Sequence, residues 1–204
     1  MSVHRDGLGW DRLRAAGRHG ACLAVIGLAA LSASAAGCSI VAQGNYKGAS
    51  LKPPVQKVVL FDIEGKYGPE FTQLLAAELV GACKNKVVVV KQGEVPLLSD
   101  AFKATNPASV VRDLGAQAYI KGAITRSEQV HTAEYYVMGN FDLFDPQKEG
   151  IIGGLSDVRA VGRRDYGAGK TKAKGATLDP ANAQKVHVAL ARRVAAQLAK
   201  GMGY

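Results

Sequence analysis

The apolar positions of this chain change period from one segment to the next, and each change predicts an element. Ala21 to Leu31 is an apolar run dense in Gly and Ala, preceded by a segment carrying Arg5, Arg12, Arg14 and Arg18. The run is shorter than the ~20 mostly apolar residues that a bilayer-spanning helix needs. With the small residues Ser34-Ala35-Ala36-Gly37 behind it, the order is that of an export signal over residues 1–37. Residues 38–54 are small and polar, with scattered Gly and the pair Pro53-Pro54, which predicts a flexible tether. Lys57 to Asp62 holds the run Val58-Val59-Leu60-Phe61 and reads as a buried strand, broken by Gly65 and Gly68. From Pro69 to Lys84, Phe71, Leu74, Leu75, Leu79 and Val80 recur at helical spacing, with Pro69 suited to the first turn. Val87 to Val90 is an unbroken valine run, which suits the middle of a sheet covered on both faces.

Residues 93–106 read as connection. Asn106-Pro107 pairs a capping side chain with a first-turn proline and opens a short helix that turns Val110, Val111 and Leu114 inward and stops at Gly115. Ala118 to Thr125 reads as a strand with mixed faces, and Ala133 to Phe144 as another. Asp145 to Gly150 has turn composition, so Ile151 to Val161 returns antiparallel. Residues 162–177, rich in Gly, Lys and Arg, predict an exposed loop. Asp179-Pro180 then starts a long helix with Val186, Leu190, Val194 and Leu198 spaced by four. The sum is one α/β domain over residues 55–204, a mixed β-sheet flanked by helices and closed by a C-terminal helix.

Charge and cysteine content narrow the partners. The chain has 204 residues and a net charge of +9. Losing residues 1–37, with four Arg and two Asp, leaves 167 residues and +7, enough for one domain with its own core. For an exported protein of this charge, anionic lipid, acidic polysaccharide or cell wall is a more fitting partner than nucleic acid, and solubility alone also accounts for a modest excess of Lys and Arg. Small residues directly before Cys38 look like the lipobox of bacterial lipoproteins, with Ala35 where that motif usually has Leu. The resemblance implies cleavage before Cys38 and acylation of its thiol, hence attachment to a membrane through an N-terminal lipid anchor. Ser39, rather than Asp, implies the periplasmic face of the outer membrane by analogy with lipoprotein sorting. An ordinary signal cut after Ser34-Ala35-Ala36 is the other reading, with Cys38 then an incidental thiol. Cys83 is left without a disulfide partner or a thiolate set for zinc, and falls on the apolar face of its helix as a buried core thiol.

The order of elements also has a familiar form. Val58-Val59-Leu60-Phe61, the helix around Leu74-Leu75-Ala76-Ala77-Glu78-Leu79, and Leu114-Gly115-Ala116-Gln117 running into Ala118 to Thr125 through Gly122 resemble the CsgG/LpoB-like group of envelope lipoproteins. Phe141-Asp142-Leu143-Phe144-Asp145, with its turn and Gly150, is similar to that group's late strand. The resemblance covers most of residues 56–199. It implies a non-catalytic, periplasm-facing domain that binds an envelope protein partner or assembles into a homo-oligomer, as an accessory to export or cell-wall synthesis. The one candidate hairpin, residues 133–164, must also supply core strands, which argues against a membrane pore. A tether of residues 39–54 reaches at most about 55 Å.

Catalytic chemistry is thinly represented. His131 lies in a polar stretch and reads as a solvated loop residue, whereas His187 reads as a partly exposed helix residue. No Gly-x-Ser-x-Gly elbow is present. Gly167 to Thr171 ends in Gly-Lys-Thr, but Arg164 occupies the position of the first phosphate-loop glycine, so no cofactor is expected. Arg159, Arg163, Arg164, Lys170, Lys172 and Lys174 form the one notable polar cluster, read as a loop that contacts an anionic surface or is merely solvated. The expectation is a lipid-anchored binding module and not an enzyme; a small secreted hydrolase or ligand-binding protein is the alternative.

Overall fold

Alternation and β-branching along the chain build one sheet. The computed structural model describes residues 38–98, 107–131, 134–164 and 180–204. The strands are β1 (Cys38–Gln43), β2 (Lys47–Gly48), β3 (Lys57–Leu60), β4 (Val88–Lys91), β5 (Ala118–His131), β6 (Glu134–Asp145) and β7 (Gly150–Arg164). The helices are α1 (Gly68–Ala82), α2 (Ala108–Asp113) and α3 (Pro180–Gly201). The sheet order is β1-β7-β6-β5-β3-β4, with β2 pairing β7 beyond β1. β3 runs parallel to β4 and β5, and the rest of the sheet is antiparallel, so the α/β class with a mixed sheet and a C-terminal helix holds.

Helices α1 and α3 cover one face. Phe71, Leu75 and Leu79 from α1 and Val186, Leu190, Val194 and Leu198 from α3 are buried there against Phe141, Val137 and Ala160 of the sheet. A smaller core on the other face joins Val59 and Phe61 to Val111 of α2, Leu98 and Tyr119. Both cores are drawn from within the compact unit Gly37–Tyr204. Two glycines are dictated by geometry. A Cβ on Gly68 would lie 1.9 Å from the Ile63 carbonyl oxygen, and Gly115 ends α2 at φ +69°, a left-handed position that glycine takes without strain. The start of α1 is tied down by Thr72, whose Oγ1 accepts from the Ile63 amide and donates to the Gly68 carbonyl, both at 2.9 Å.

Four expectations are corrected. Residues 38–54 are not a tether: β1 zips onto β7 from Cys38↔Arg164 to Gln43↔Arg159. The following residues dock on the C-terminal helix, the Leu51 amide donating to the Gly201 carbonyl at 2.8 Å and the Val55 amide to Met202 at 2.9 Å. The cause is a period-two pattern too short to read: Ile40 and Ala42 pack on the core while Ser39, Val41 and Gln43 face away. The valine run lies at a sheet edge, not in the middle. Val89 and Val90 reach opposite cores, so the run is covered on both faces, but Val88 is 59% exposed. Residues 162–164 belong to β7, and β5 runs on to His131, past the expected end at Thr125. The capping residues Asn106 and Asp179 lie outside the described residues.

Candidate functional site

The antiparallel ladder brings chain ends and turns to a common level. Cys38 opens β1 opposite Arg164, Arg163 pairs with Glu134, and Glu134 pairs with His131. The start of β1, the end of β7, the end of β5 and the start of β6 therefore share one end of the sheet. The β6–β7 turn lies at the other, eleven residues along β6, about 36 Å away.

On the face away from α1 and α3, alternation places side chains in cross-strand rows. One row is Gln43, Arg159, Met138 and Arg126; the next is Val41, Val161, Tyr136 and Glu128. Ser39, Arg163 and Glu134 follow, with Val130 beside them, around a concavity of about 490 Å³. Arg163 Nε lies 2.9 Å from the Glu134 carboxylate, and Arg126 pairs with Glu128. Arg126 also sits 5.3 Å from the Tyr136 ring centroid, a cation–π distance. Arg159 donates to the neutral Gln43 side chain at 3.2 Å. Val41 is 54% and Val130 39% exposed.

Of the predicted basic cluster, Arg159 and Arg163 meet here on a strand face rather than in a loop, because β7 extends through them. Arg164 is placed by its backbone opposite Cys38, and Lys170, Lys172 and Lys174 lie outside the described residues. Sequence reading missed Arg126. Its signal was alternation in a β5 longer than expected, which puts it in the Arg159 row.

A second cluster surrounds His187, which is buried rather than partly exposed. Its Nδ1 lies 3.0 Å from the Ala183 carbonyl oxygen, which can only accept, so Nδ1 carries the proton and Nε2 accepts from Ser127 Oγ at 3.2 Å. Ser127 Oγ lies 2.8 Å from the Tyr135 hydroxyl, which completes the chain by donating to it. Burial pushes the His187 pKa below its ordinary 6.5, opposed by the Ala183 hydrogen bond and by Glu70. The ring contacts Tyr67 and Tyr135 at centroid distances of 5.3 and 5.8 Å, at one wall of a mostly apolar cavity of about 760 Å³ between α1 and α3. Sequence reading set His187 aside because its partners lie 60 and 52 positions away in the chain. His131 ends β5 in register with Glu134 instead of lying in a loop.

Cys83 is fully buried, and burial pushes its thiol up to about 11. Among the described residues no group of three or more His, Cys, Asp and Glu could hold a metal ion, and no helix is long and apolar enough to cross a membrane.

These features define a class: an α/β domain with one helix-covered and one partly open sheet face. No protein-family model matches the chain, and no curated protein does. Solved structures similar to it include the PelC dodecamer from Paraburkholderia phytofirmans, at 14% identity over 77% of this chain and 97% of that one, TM-score 0.49. The hypothetical protein CT253 from Chlamydia trachomatis is 11% identical over 72% of this chain and 97% of its own, TM-score 0.46. Lipoprotein GNA1162 from Neisseria meningitidis is 13% identical over 57% of this chain and 86% of its own, TM-score 0.37. At these scores the likenesses carry no functional conclusion.

Proposed function

We propose that this chain is an exported lipoprotein, cut before Cys38 and acylated on its thiol, whose domain serves as a non-catalytic binding or assembly module at the periplasmic face of the outer membrane. One observation supports it most: the small residues Ser34 to Gly37 stand directly before Cys38, as they do in a lipobox. Cleavage there removes residues 1–37 and leaves the whole ladder with β7 intact. The CsgG/LpoB-like sequence features support a partner in export or cell-wall synthesis machinery. Intact mass of the membrane-extracted protein tests the anchor: the expected species begins at Cys38 and carries acyl chains, and an unacylated N-terminus refutes it. Sizing the same material in detergent tests assembly, a monomer with no co-purifying component counting against that half of the proposal.

The Ser127–His187 contact favours a second reading, a secreted hydrolase. It has the hydroxyl–imidazole pair of a nucleophilic site, with the Ala183 carbonyl where a carboxylate usually orients the ring. A fluorophosphonate probe that labels the native protein at Ser127 would establish this reading. Absence of labelling removes it.

A further inference from the structure

We propose that the open sheet face at the Cys38 end, carrying Arg126, Arg159 and Arg163 with Val41, Val130 and Tyr136, rests on the phospholipid headgroups of the leaflet that holds the anchor. This rests on the reading of Cys38 as acylated. An anchor on a flexible tether leaves a domain free to tumble, but here the anchoring residue belongs to the sheet, with its Cα paired to Arg164. Acyl chains on Cys38 bring the first rows of β1 and β7 to the headgroup layer. The far strand of the face, β5, is three strand spacings away, about 15 Å laterally.

The residues that arrive there suit an interface between water and hydrocarbon. Arginine forks match phosphate oxygens, and aliphatic and aromatic side chains enter the zone beneath. Glu134 and Glu128 neutralise Arg163 and Arg126 in part, while Arg159 bonds the neutral Gln43, so among the described residues these three arginines outnumber the two carboxylates. Val41 and Val130 stay exposed on the same face. At the opposite end, the β6–β7 turn presents Lys148 beside Asp145, Glu149 paired with Arg112, and the exposed Ile151, and that end lies farthest from the anchoring residue, so it serves as the control.

Residues 38–204 contain no Trp, so a single introduced Trp reports alone. The test couples Cys38 of this segment to maleimide-phosphatidylethanolamine, Cys83 being buried and protonated, in vesicles of equal parts phosphatidylcholine and phosphatidylglycerol with brominated acyl chains. Coupling by this route does not depend on acylation in cells, so a failed lipoprotein reading and a failed docking face give different results. Val130→Trp should be quenched and blue-shifted, several-fold more than Lys148→Trp. Equal quenching of the two reporters overturns the proposal. So does an unquenched Val130→Trp, which leaves the arginines to an acidic protein surface. Adding Arg159→Glu with Arg163→Glu should lower Val130→Trp quenching in these vesicles and leave it unchanged in phosphatidylcholine alone. Should that pair fail to fold by circular dichroism, Arg159→Gln, whose partner is uncharged, reads the same loss in smaller measure. No change in either variant refutes the role of the arginines.

Discussion

If residues 38–54 are part of the fold, one side chain of α3 should control whether they stay there. Arg193 donates from Nε to the Gly44 carbonyl at 2.8 Å and from Nη2 to the Asn45 side chain at 2.9 Å, clamping the link between β1 and β2. Gly44 sits at φ +142°, and a Cβ there would meet the Val158 side chain at 2.4 Å, so the link is pressed tightly onto β7. Arg193→Ala removes both contacts. The bond to Asn45 is exposed and counts for little. The bond to the half-buried carbonyl has a charged donor, a type that contributes ~1.5–3 kcal/mol, and partial solvation puts this one at the lower end. About 1.4 kcal/mol is a tenfold change in an opening equilibrium, so β1 amides should exchange roughly ten times faster in Arg193→Ala, with core amides of β6 unaffected. The neighbouring Arg192→Ala is the control. Its two hydrogen bonds to Glu78, at 3.1 and 3.2 Å, look equally good, but the Arg192 side chain is 69% exposed, so its loss should cost under about 0.5 kcal/mol. Hydrogen exchange read by mass spectrometry compares the two. Unchanged protection of β1 in Arg193→Ala, or equal effects of the two variants, would show that the clamp does not hold the segment.

Three further outcomes follow from buried groups. Because burial lowers the His187 pKa, the unfolded chain takes up a proton below about pH 6.5 that the folded one resists, so stability falls as pH drops from neutral towards the depressed folded value. His187→Gln should flatten that limb in urea midpoints measured across the range, and an unaltered slope would refute the assignment. Cys83 should resist maleimide in the native protein and react once urea unfolds it; rapid native labelling would contradict its burial. Phe71 and Phe141 stack at 5.5 Å between α1 and the sheet. Each Phe→Ala should cost ~3–5 kcal/mol, and a double-mutant cycle should leave a coupling of ~0.5–1.5 kcal/mol, whereas strict additivity would mean the rings contribute only by burial.

Helical and strand periodicity were legible wherever an element was long or amphipathic enough to repeat itself. The α1 stripe from Phe71 to Leu79, the fourfold spacing of Val186 to Leu198, and the β6–β7 hairpin all lie where their patterns put them. What escaped had a common cause. Among the side chains described, β1 offers two core-facing residues, Ile40 and Ala42, and its strand character comes from the unpaired edge of β7 and not from its own composition. The valines of β4 have the composition of a central strand, but strand order is set by which neighbour pairs with β3, and composition does not encode that. The cluster of Ser127, Tyr135 and His187 depends on a crossing of α3 over β5 and β6 that a linear reading does not supply.

The incorporation of β1 also changes what an anchored molecule can do. A tether of residues 39–54 would have let the domain search about 55 Å from the leaflet. With Cys38 in the ladder and residues 47–55 fastened to β7 and to the end of α3, that reach is gone, and only the length of the domain remains. The β6–β7 turn lies about 36 Å along the strands from the Cys38 end, and with the open face on the leaflet that length runs over the membrane and not away from it. On the proposed anchoring, a partner must come to the membrane and meet the domain there, in an orientation set by the sheet. Placing a flexible insert between Cys38 and Ser39 restores the search without altering any contact of the fold from Ser39 onward. A partner that depends on orientation should be captured less well by such a variant, whereas one that needs only proximity should not distinguish it, when the two are crosslinked on intact membranes before extraction.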